Sequence, residues 1–355
     1  GPLMCMEYWN GWFDHWGEPH HARNAADAGK SLDDILSAGA HVNIYMAHGG
    51  TNFGFWSGAN TDDAGAYQPT TTSYDYDAPL TEAGEPTAKY HAYQAILARH
   101  GAETKPPPAR SGTAFAEITA TQAGSAPLLP NIEQIGQRHE LVTPRPMEKL
   151  GQASGFILYR TEIDYPAGQV ALTADVRDRG LVFLDGQPAG ELHRNGARTL
   201  PLDVKPGRHR LDILVENQGR VNYGKQLRDP KGIIGSVWLG YTELVGWQAF
   251  SLPLDDLSGL DFGGEAATPG FHRFNLVAQQ PADAYLDLLG WGKGVAFFNG
   301  FNLGRYWQIG PQRRLYVPAP LIKTGTNELV LFETDAIGQP PRLVAEQAWT
   351  SSAAV

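Results

Sequence analysis

Residues 2–17 read PLMCMEYWNGWFDHWG, an apolar run followed by one glutamate and a dense group of aromatic residues. The run at 2–6 has the length and composition of a fully buried strand, so we expect Glu7 to lie where that strand ends. Aromatic faces stack on the C–H face of a sugar, while carboxylates interact with its hydroxyls and anomeric carbon. The stretch indicates a carbohydrate site. The alternative is a structurally paired carboxylate beside core aromatic residues.

A first helix pattern follows this stretch. The Ala-rich residues 24–38 place Leu32 and Ile35 on one face, which predicts a helix. Ser31 stands three residues before Asp34, a capping-box spacing, and Gly39 is the expected stop.

A second strand and helix come next. Residues 41–47 are strand-like, and a helix is predicted from Pro86, as a first-turn proline, to His100 before Gly101. Two consecutive strand–helix units are typical of the closing end of a (β/α)8 barrel, whose chemistry lies at the C-terminal ends of its strands.

The amino-acid composition changes at residues 104–111. They read TKPPPARS, which predicts an extended proline-rich linker. Downstream, short strand patterns alternate with turn signals, as in sandwiches and jelly rolls. We therefore predict four segments: the last two strand–helix units of a TIM-barrel domain at 1–103, the linker at 104–111, a first β-sandwich at 112–246, and a second, jelly-roll β-sandwich at 247–355.

A weak internal repeat supports two related β-domains. Residues 181–186 read LVFLDG with Gly190 four residues on, and residues 295–300 read VAFFNG with Gly304 at the same distance. Asp-Gly or Asn-Gly after an apolar strand predicts a hairpin. Each segment is followed by Lys-x-Gly and a further strand pattern, so we expect the same unit twice.

Together these motifs resemble the β-galactosidases of glycoside hydrolase family 35. The resemblance spans most of the chain. It is carried by residues 2–9, 11–17, 43–46, 48–54 and 72–80, and by residues 300–307, which resemble the C-terminal β-domain of that family.

The resemblance implies a function and roles for five residues. The implied enzyme is a retaining exo-β-galactosidase. We predict that it uses no cofactor and no metal. Glu7 matches the catalytic nucleophile, Tyr45 and Tyr76 match tyrosines that line the galactose pocket, and Trp9 and Trp12 match aromatic positions beside the nucleophile. It also implies that the two β-domains are galactose-binding-like jelly rolls, a fold name that does not establish sugar binding.

One catalytic partner is missing. A retaining glycosidase needs two carboxyl groups about 5 to 5.5 Å apart. The family places its acid/base glutamate in an Asn-Glu pair on an earlier barrel strand, and no such pair precedes the linker. We expect the acid/base to be absent from this chain. The first six barrel units would lie on another chain, have been removed by proteolysis, or have been left out of the sequence in hand.

The other acidic and imidazole groups of these loops have plainer interpretations. We expect roles as loop caps, turn formers or partners of a sugar hydroxyl or an arginine, rather than acid/base catalysis, for Asp14, Glu18, Asp62, Asp63, Asp75 and Asp77. A metal site is the alternative for His15, Glu18, His20 and His21, but their spacing fits no helical His pair and Pro19 interrupts them. We predict a solvated or substrate-facing loop without a metal.

Composition excludes several classes of partner. The net charge of −10 over 355 residues argues against nucleic acid, which requires clustered Lys and Arg. No apolar stretch approaches the roughly 20 residues that span a bilayer, so no membrane partner is expected. A single cysteine, Cys5, excludes an internal disulfide and favours a reducing, cytoplasmic location.

Two function classes remain open on this reasoning. In the first, the chain and its missing barrel portion hydrolyse terminal β-galactosides, or another terminal sugar such as β-glucosamine. In the second, the chain is a non-catalytic galactoside-binding or scaffold fragment. An uncovered strand edge would make the chain associate with its missing portion or with itself as a homo-oligomer.

Overall fold

The computed structural model describes residues 1–103, 105 and 116–350. Residues 1–103 form four strands and two helices. These are β1 (Met4–Trp9), α1 (Ala25–Ser37), β2 (His41–Tyr45), β3 (Ala59–Thr61), β4 (Tyr67–Pro69) and α2 (Ala88–Arg99). Among the described residues, no helix is long and apolar enough to cross a membrane.

The later part of the chain is built almost entirely of strands. Up to residue 252, the elements are β5 (Ile118–Thr119), β6 (Thr121–Pro127), α3 (Leu128–Ile135), β7 (Gln137–Leu141), β8 (Phe156–Tyr165), β9 (Gly168–Arg177), β10 (Arg179–Leu184), β11 (Gln187–His193), β12 (Thr199–Val204), β13 (Gly207–Glu216), β14 (Gly232–Leu239), β15 (Thr242–Glu243) and β16 (Trp247–Leu252). They are followed by β17 (Gly270–Ala278), β18 (Ala284–Asp287), β19 (Lys293–Phe298), β20 (Phe301–Trp307), β21 (Arg314–Val317), β22 (Gly325–Glu333) and β23 (Arg342–Val344).

Helix α1 begins at a different cap from the predicted one. The side chain of Asn24 accepts hydrogen bonds from the backbone N–H groups of Ala26 and Asp27, which satisfies donors that the first helical turn leaves unpaired. The predicted capping role of Ser31 is wrong, because Ser31 lies inside the helix and its hydroxyl donates to the carbonyl of Asp27. Gly39 does follow the helix in a left-handed conformation, with φ of 72°.

Helix α2 shows a similar correction at its start. Pro86 precedes the helix, and Thr87 caps it by accepting a hydrogen bond from the backbone of Tyr90. Gly101 has φ of 83° and comes after the C-cap His100, as predicted. The start moved because a threonine side chain supplies an acceptor for a free N–H group, which proline cannot do.

The two N-terminal strands, β1 and β2, pair in parallel and are connected along the chain by α1. Met4 lies opposite His41, and Trp9 lies opposite Tyr45. One face of this pair packs on the helices, in a core formed by Tyr8, Ala28, Leu32, Tyr93 and Ile96. The expectation that residues 2–6 are fully buried is wrong in this structure. Leu3, Met4 and Met6 are 61%, 52% and 63% exposed, because among the described residues the sheet has two strands and only one of its faces packs on the helices.

The first β-sandwich consists of a six-stranded sheet, β11-β10-β13-β8-β16-β7, and a four-stranded sheet, β12-β9-β14-β15. Alternate residues of β9 enter its core, namely Val170, Leu172, Ala174 and Val176. This period of two is what one buried face of a sheet requires.

The second β-sandwich consists of the sheets β20-β19-β22-β17-β6 and β21-β18-β23-β5. All six residues of β19 are buried. Its core includes Phe298, Leu331 and Leu286, which come from both sheets.

The structure divides the chain differently from the sequence-based boundaries. Its two compact units are residues 1–56, 70–124 and 272–355, and residues 57–69 and 125–271. The boundary predicted between 246 and 247 fails because β16 pairs with β7 and β8 inside the first sandwich. Strand β5 likewise pairs with β23 rather than joining the first sandwich. Except for Lys105, the predicted linker at 104–111 lies outside the described residues.

The internal repeat is present in three dimensions. Strands β10 and β11 meet at Asp185–Gly186, with φ of 53° and 80°, and β19 and β20 meet at Asn299–Gly300, with φ of 48° and 80°. Asp185 accepts a hydrogen bond from the backbone N–H of Arg210 at 2.9 Å. Asn299 accepts the equivalent bond from Glu328, also at 2.9 Å. The two sandwiches therefore use the same hairpin, tied in the same way to the strand beside it.

Candidate active site

Glu7 lies at an irregularity in β1 rather than at the end of the strand. The parallel register shifts between Cys5 and Tyr8, so Glu7 belongs to a bulge two residues before the strand ends at Trp9. Bulges re-aim side chains and are common beside active sites. The Glu7 carboxylate is exposed, and its Oε2 accepts a hydrogen bond from Trp9 Nε1 at 3.0 Å.

The structure brings together the four aromatic residues singled out by the sequence. The ring centroids of Trp9 and Trp12 are 5.1 Å apart, and those of Trp12 and Tyr76 are 6.2 Å apart. Tyr45 meets Tyr76 edge to face at 5.8 Å. Three separate stretches of the chain therefore contribute to one aromatic wall: the end of β1 with the residues after it, the end of β2, and the loop before α2.

Two further aromatic residues extend this wall and were not predicted as site residues. Phe13 stacks on Trp12 at 5.3 Å and on Tyr74 at 5.4 Å. Tyr74 also stacks on Tyr76 at 5.7 Å. Both belong to segments that carry the family resemblance, so the signal was present in the sequence, but only packing shows that the rings meet.

Tyr76 has an unusual environment for a tyrosine. It is 2% exposed, and its hydroxyl makes no hydrogen bond to any other described residue. Burial, with a contribution from the charge of Glu7, raises the pKa of Tyr76. Burial and the neighbouring Tyr45 also raise the pKa of Tyr74, to about 12. Both hydroxyls are therefore protonated at neutral pH and can donate a hydrogen bond.

Two glycines permit the close approach of the loops. A Cβ on Gly11 would lie 1.8 Å from the carbonyl oxygen of Tyr76, and one on Gly49 would lie 1.6 Å from that of Tyr74. Tyr76 itself has φ of 63°, in the left-handed region. Any side chain at Gly11 or Gly49 would displace the backbone that presents the two tyrosines.

The second β-sandwich anchors the start of the same loop. The hydroxyl of Thr72 donates to the carbonyl oxygen of Arg305 at 2.6 Å, and the backbone of Ser73 donates to Gln312 at 2.8 Å. Gly304 has φ of 116°, and a Cβ there would lie 2.5 Å from Thr72. The Gly-Arg pair within residues 300–307 thus supports the loop that carries Tyr74 and Tyr76.

The acidic residues considered as alternatives have structural partners. Asp77 accepts hydrogen bonds from the buried ammonium of Lys89 and from the backbone of Arg23, both at 2.6 Å. Asp75 accepts from the backbone of Asp77, and burial raises its pKa. Asp62 accepts from Ala66 within the β3–β4 turn. The contacts of Asp62 and Asp75 are of the predicted turn type, whereas Asp77 forms an ion pair with Lys89.

Two carboxylates bond to the imidazoles of the histidine-rich stretch, and Glu18 lies 2.9 Å from the Nδ1 of His15. Asp14 bonds to the ring Nδ1 of His20 at 2.7 Å and of His21 at 2.9 Å, and His20 stacks on Trp349 at 4.0 Å. Burial lowers the pKa of His20, but the hydrogen bond and charge of Asp14 outweigh it, so the pKa is raised. Within the described ranges, no three His, Cys, Asp or Glu side chains are grouped to hold a metal ion.

One buried carboxyl group was not singled out from the sequence. Burial raises the pKa of Glu82 to about 7, although donors partly offset this. Its Oε1 accepts from Thr51 at 2.7 Å and its Oε2 from Gln347 at 3.1 Å. Both oxygens therefore have structural partners.

Three stretches of the chain match models of known protein families. Residues 1–100 match the model of glycosyl hydrolases family 35. Residues 144–253 match the first all-beta domain of β-galactosidase, and residues 269–327 match its galactose-binding domain.

Curated relatives agree with these matches. A β-galactosidase of Xanthomonas manihotis is 43% identical over 327 residues, covering 89% of this chain and 53% of the relative. The Homo sapiens β-galactosidase-1-like protein 2 is 38% identical, covering 95% of this chain and 55% of its own length. The Homo sapiens β-galactosidase is 36% identical, covering 94% and 53%. The chain spans about half the length of these relatives, and it belongs to glycoside hydrolase family 35.

Proposed function

We propose that this chain supplies the nucleophile side of a retaining β-galactosidase, with Glu7 as the nucleophile. The observation that carries the proposal is an exposed carboxylate in a strand bulge, hydrogen-bonded to Trp9 and bordered by an aromatic wall. In the first step, a Glu7 oxygen bonds to the anomeric carbon as the bond to the leaving oxygen breaks. That oxygen takes a proton from a second carboxyl group, which then removes a proton from the water that releases the sugar.

The aromatic wall is suited to bind and orient the sugar. Trp9 and Trp12 are 53% and 37% exposed, which leaves ring faces available for stacking on a pyranose. The hydrogen bond from Trp9 fixes one oxygen of Glu7 and leaves the other for attack. The hydroxyl of Tyr76 has no partner among the described residues, and a sugar hydroxyl would provide one.

The acid/base is proposed to come from a segment outside this chain. In this proposal, β1 and β2 are the last two strands of a (β/α)8 barrel, and earlier units cover Leu3, Met4 and Met6. Met4 and Met6 lie two residues apart in β1, on the same face of the strand, and their exposure supports such a covering partner.

A fusion protein tests whether the acid/base comes from a segment outside this chain. The N-terminal half of the Xanthomonas manihotis relative is placed ahead of residue 1, and hydrolysis of a nitrophenyl β-galactoside is compared with that of the chain alone. We expect turnover only by the fusion, because general acid catalysis is worth about 10² to 10⁴ in rate and the pocket is otherwise incomplete. Equal turnover by the chain alone would contradict the proposal.

The role of Glu7 is tested in the same fusion. A 2-fluorogalactoside slows release of the glycosyl-enzyme, so mass spectrometry identifies the labelled peptide. We expect the label on Glu7, and neither labelling nor turnover in Glu7→Gln, which keeps the size of the side chain but removes the attacking anion. Glu103→Gln, at an exposed glutamate of the same segment, is the matched control and should retain both. A label on another peptide would overturn the assignment.

A further inference from the structure

A cavity of about 430 Å³ lies in the unit formed by residues 57–69 and 125–271. We call it the basic pocket, because its lining includes the cations Arg177, Arg194, Arg198, Lys225 and Arg228 and a single carboxylate, Asp229. The chain as a whole has a net charge of −10, so the excess of cations in this cluster is opposite in sign to the charge of the whole chain. It is separate from the residues proposed for the galactosidase chemistry.

The floor of the basic pocket is rigid. The side chain of Arg194 is only 7% exposed, and its guanidinium lies 4.3 Å from the centroid of the Tyr67 ring. It donates to Asp178 at 2.7 Å and to Gln226 at 3.2 Å. Such a guanidinium loses little freedom when it binds a ligand, because its orientation is already set.

Arg177 is held in a similar way. Two of its N–H groups donate to the two oxygens of Asp175, both at 3.1 Å, and a third donates to Asp229 at 2.6 Å. A guanidinium has five N–H donors, so these bonds leave some available. Asp229 is also bonded to Arg194 and lies 3.7 Å from the ammonium of Lys231, so its negative charge is shared among three cations.

Ion pairs that stabilise the fold explain the positions of Arg177 and Arg194 at the floor of the basic pocket. They do not explain the exposed cations at its rim, Lys225 and Arg228. The ion pairs around Asp229 tie strand β9 to the segments that follow β11 and precede β14. Lys225 and Arg228 take no part in these pairs. Both are exposed, and neither forms a hydrogen bond or ion pair with any residue in the described part of the chain.

Arg198 adds to the excess positive charge. Its only ion pair among the described residues is with Asp175, at 3.6 Å, and its side chain is 56% exposed. Like charges that line one cavity repel one another, and the cavity focuses their field on a counter-ion. Unpaired cations above pre-oriented guanidinium groups form the arrangement that binds phosphate and sulfate groups.

We propose that the basic pocket binds a tetrahedral oxyanion, a phosphate or sulfate group, with Arg228 and Lys225 as the rim ligands and Arg177 and Arg194 as the floor. The group is either a free inorganic anion or a substituent on a saccharide. The two sources share the same chemistry of recognition, which is several charged oxygens facing N–H donors.

Calorimetric titration of this chain with inorganic phosphate and inorganic sulfate tests the proposal, with chloride keeping the ionic strength constant. We expect saturable binding that is weakened about tenfold or more in the double variant Arg228→Gln/Lys225→Gln, since each removes a charge-assisted contact. Arg208→Gln is the matched control, because Arg208 is an exposed arginine of the same unit that does not line the pocket. Its affinity should equal that of the unmodified chain.

A second titration separates the two sources. Galactose 6-sulfate, inorganic sulfate and neutral galactose are compared, and this choice of sugar rests on the proposed galactosidase function. Tighter binding of the sugar sulfate assigns the site to a substituted saccharide, and equal binding assigns it to the free anion. No saturable binding of any oxyanion, or equal affinity in the double variant, would overturn the proposal. Because the readout is binding to this chain, the result is independent of whether Glu7 is catalytic.

Discussion

Strands β1 and β19 have similar apolar sequences but opposite surroundings. All six residues of β19 are buried between two sheets. In β1, Met4 and Met6 are more than half exposed, because within the described part of the chain β2 is the one strand that pairs with β1 and one face of the sheet is uncovered. The difference shows that an apolar run selects strand conformation, whereas burial depends on neighbours that the run does not specify.

Buried polar groups follow the same contrast. In the first sandwich, the ammonium of Lys231 bonds to both oxygens of Asp178, at 2.8 and 2.7 Å, and both side chains are fully buried. Burial lowers the pKa of Lys231, while Asp178 opposes that effect. In the loops near the candidate site, the buried hydroxyl of Tyr76 has no partner among the described residues. A paired group of this kind stabilises the fold, whereas a buried hydroxyl without a partner needs another explanation.

The largest expected effect comes from breaking the paired charges of the sandwich. Lys231→Met keeps the bulk of the side chain but leaves Asp178 buried with one fewer cation. Removing one partner of a buried pair destabilises proteins by about 3 to 5 kcal/mol, and we expect a loss of that size. Denaturant unfolding of the unmodified chain and the variant measures it.

The control for this experiment is an exposed ion pair. Lys30 bonds to Asp34 on α1, and their side chains are 75% and 66% exposed. Lys30→Gln should leave the unfolding midpoint unchanged, because solvent screens such pairs. If both lysine variants behaved alike, the distinction between paired interior and solvated surface would fail.

The next effect is a pH dependence that arises from Glu82. Its ordinary pKa is 4.5 and the folded value is about 7, so the folded state retains the proton over this window while the unfolded state loses it. Stability should therefore fall as the pH rises from about 4.5 to about 7. Glu82→Gln removes this fall and should stabilise the chain above that window by about 3 kcal/mol. Unfolding free energies measured across pH provide the test.

An exposed glutamate provides the comparison for Glu82. Glu328 is exposed in β22, and Glu328→Gln should leave the pH profile unchanged. A profile for Glu82→Gln that still fell between pH 4.5 and 7 would assign the dependence to another group.

The smallest expected stability effect concerns Tyr76. Tyr76→Phe removes a buried hydroxyl that has no partner among the described residues, so we expect no loss of stability and a gain of up to about 1 kcal/mol. In the fusion proposed above, kcat/KM should fall by about 2- to 12-fold, as one hydrogen bond of about 0.5 to 1.5 kcal/mol is lost.

The same substitution at Tyr159, a buried tyrosine with hydrogen-bond partners, is the comparison for Tyr76→Phe. Its buried hydroxyl donates to the carbonyl oxygen of Arg145 at 2.7 Å and accepts from the backbone of Ile233 at 3.2 Å. Tyr159→Phe should therefore destabilise the chain by about 1 to 3 kcal/mol, because it leaves buried partners unsatisfied. Equal destabilisation by the two Tyr→Phe variants would remove the contrast between the two regions.

Local sequence signals predicted much of the secondary structure and part of the site. The hairpin turns at Asp185–Gly186 and Asn299–Gly300 were predictable because these dipeptides tolerate positive φ. The residues around Glu7 carried the family resemblance, which the matched family models confirm. Phe13 was missed as a site residue because the residues next to it in the sequence do not show that its ring stacks on Tyr74.

The sequence by itself determined where strands, helices and turns form, because those depend on backbone preferences and on apolar spacing over a few residues. Only the tertiary structure decided that β16 completes the first sandwich, that β5 joins the second, and that Glu7 lies in a bulge. Strand pairing and burial depend on hydrogen-bond partners that are far away along the chain. The left-handed backbone at Tyr76, packed against Gly11, likewise depends on contacts that a local pattern does not contain.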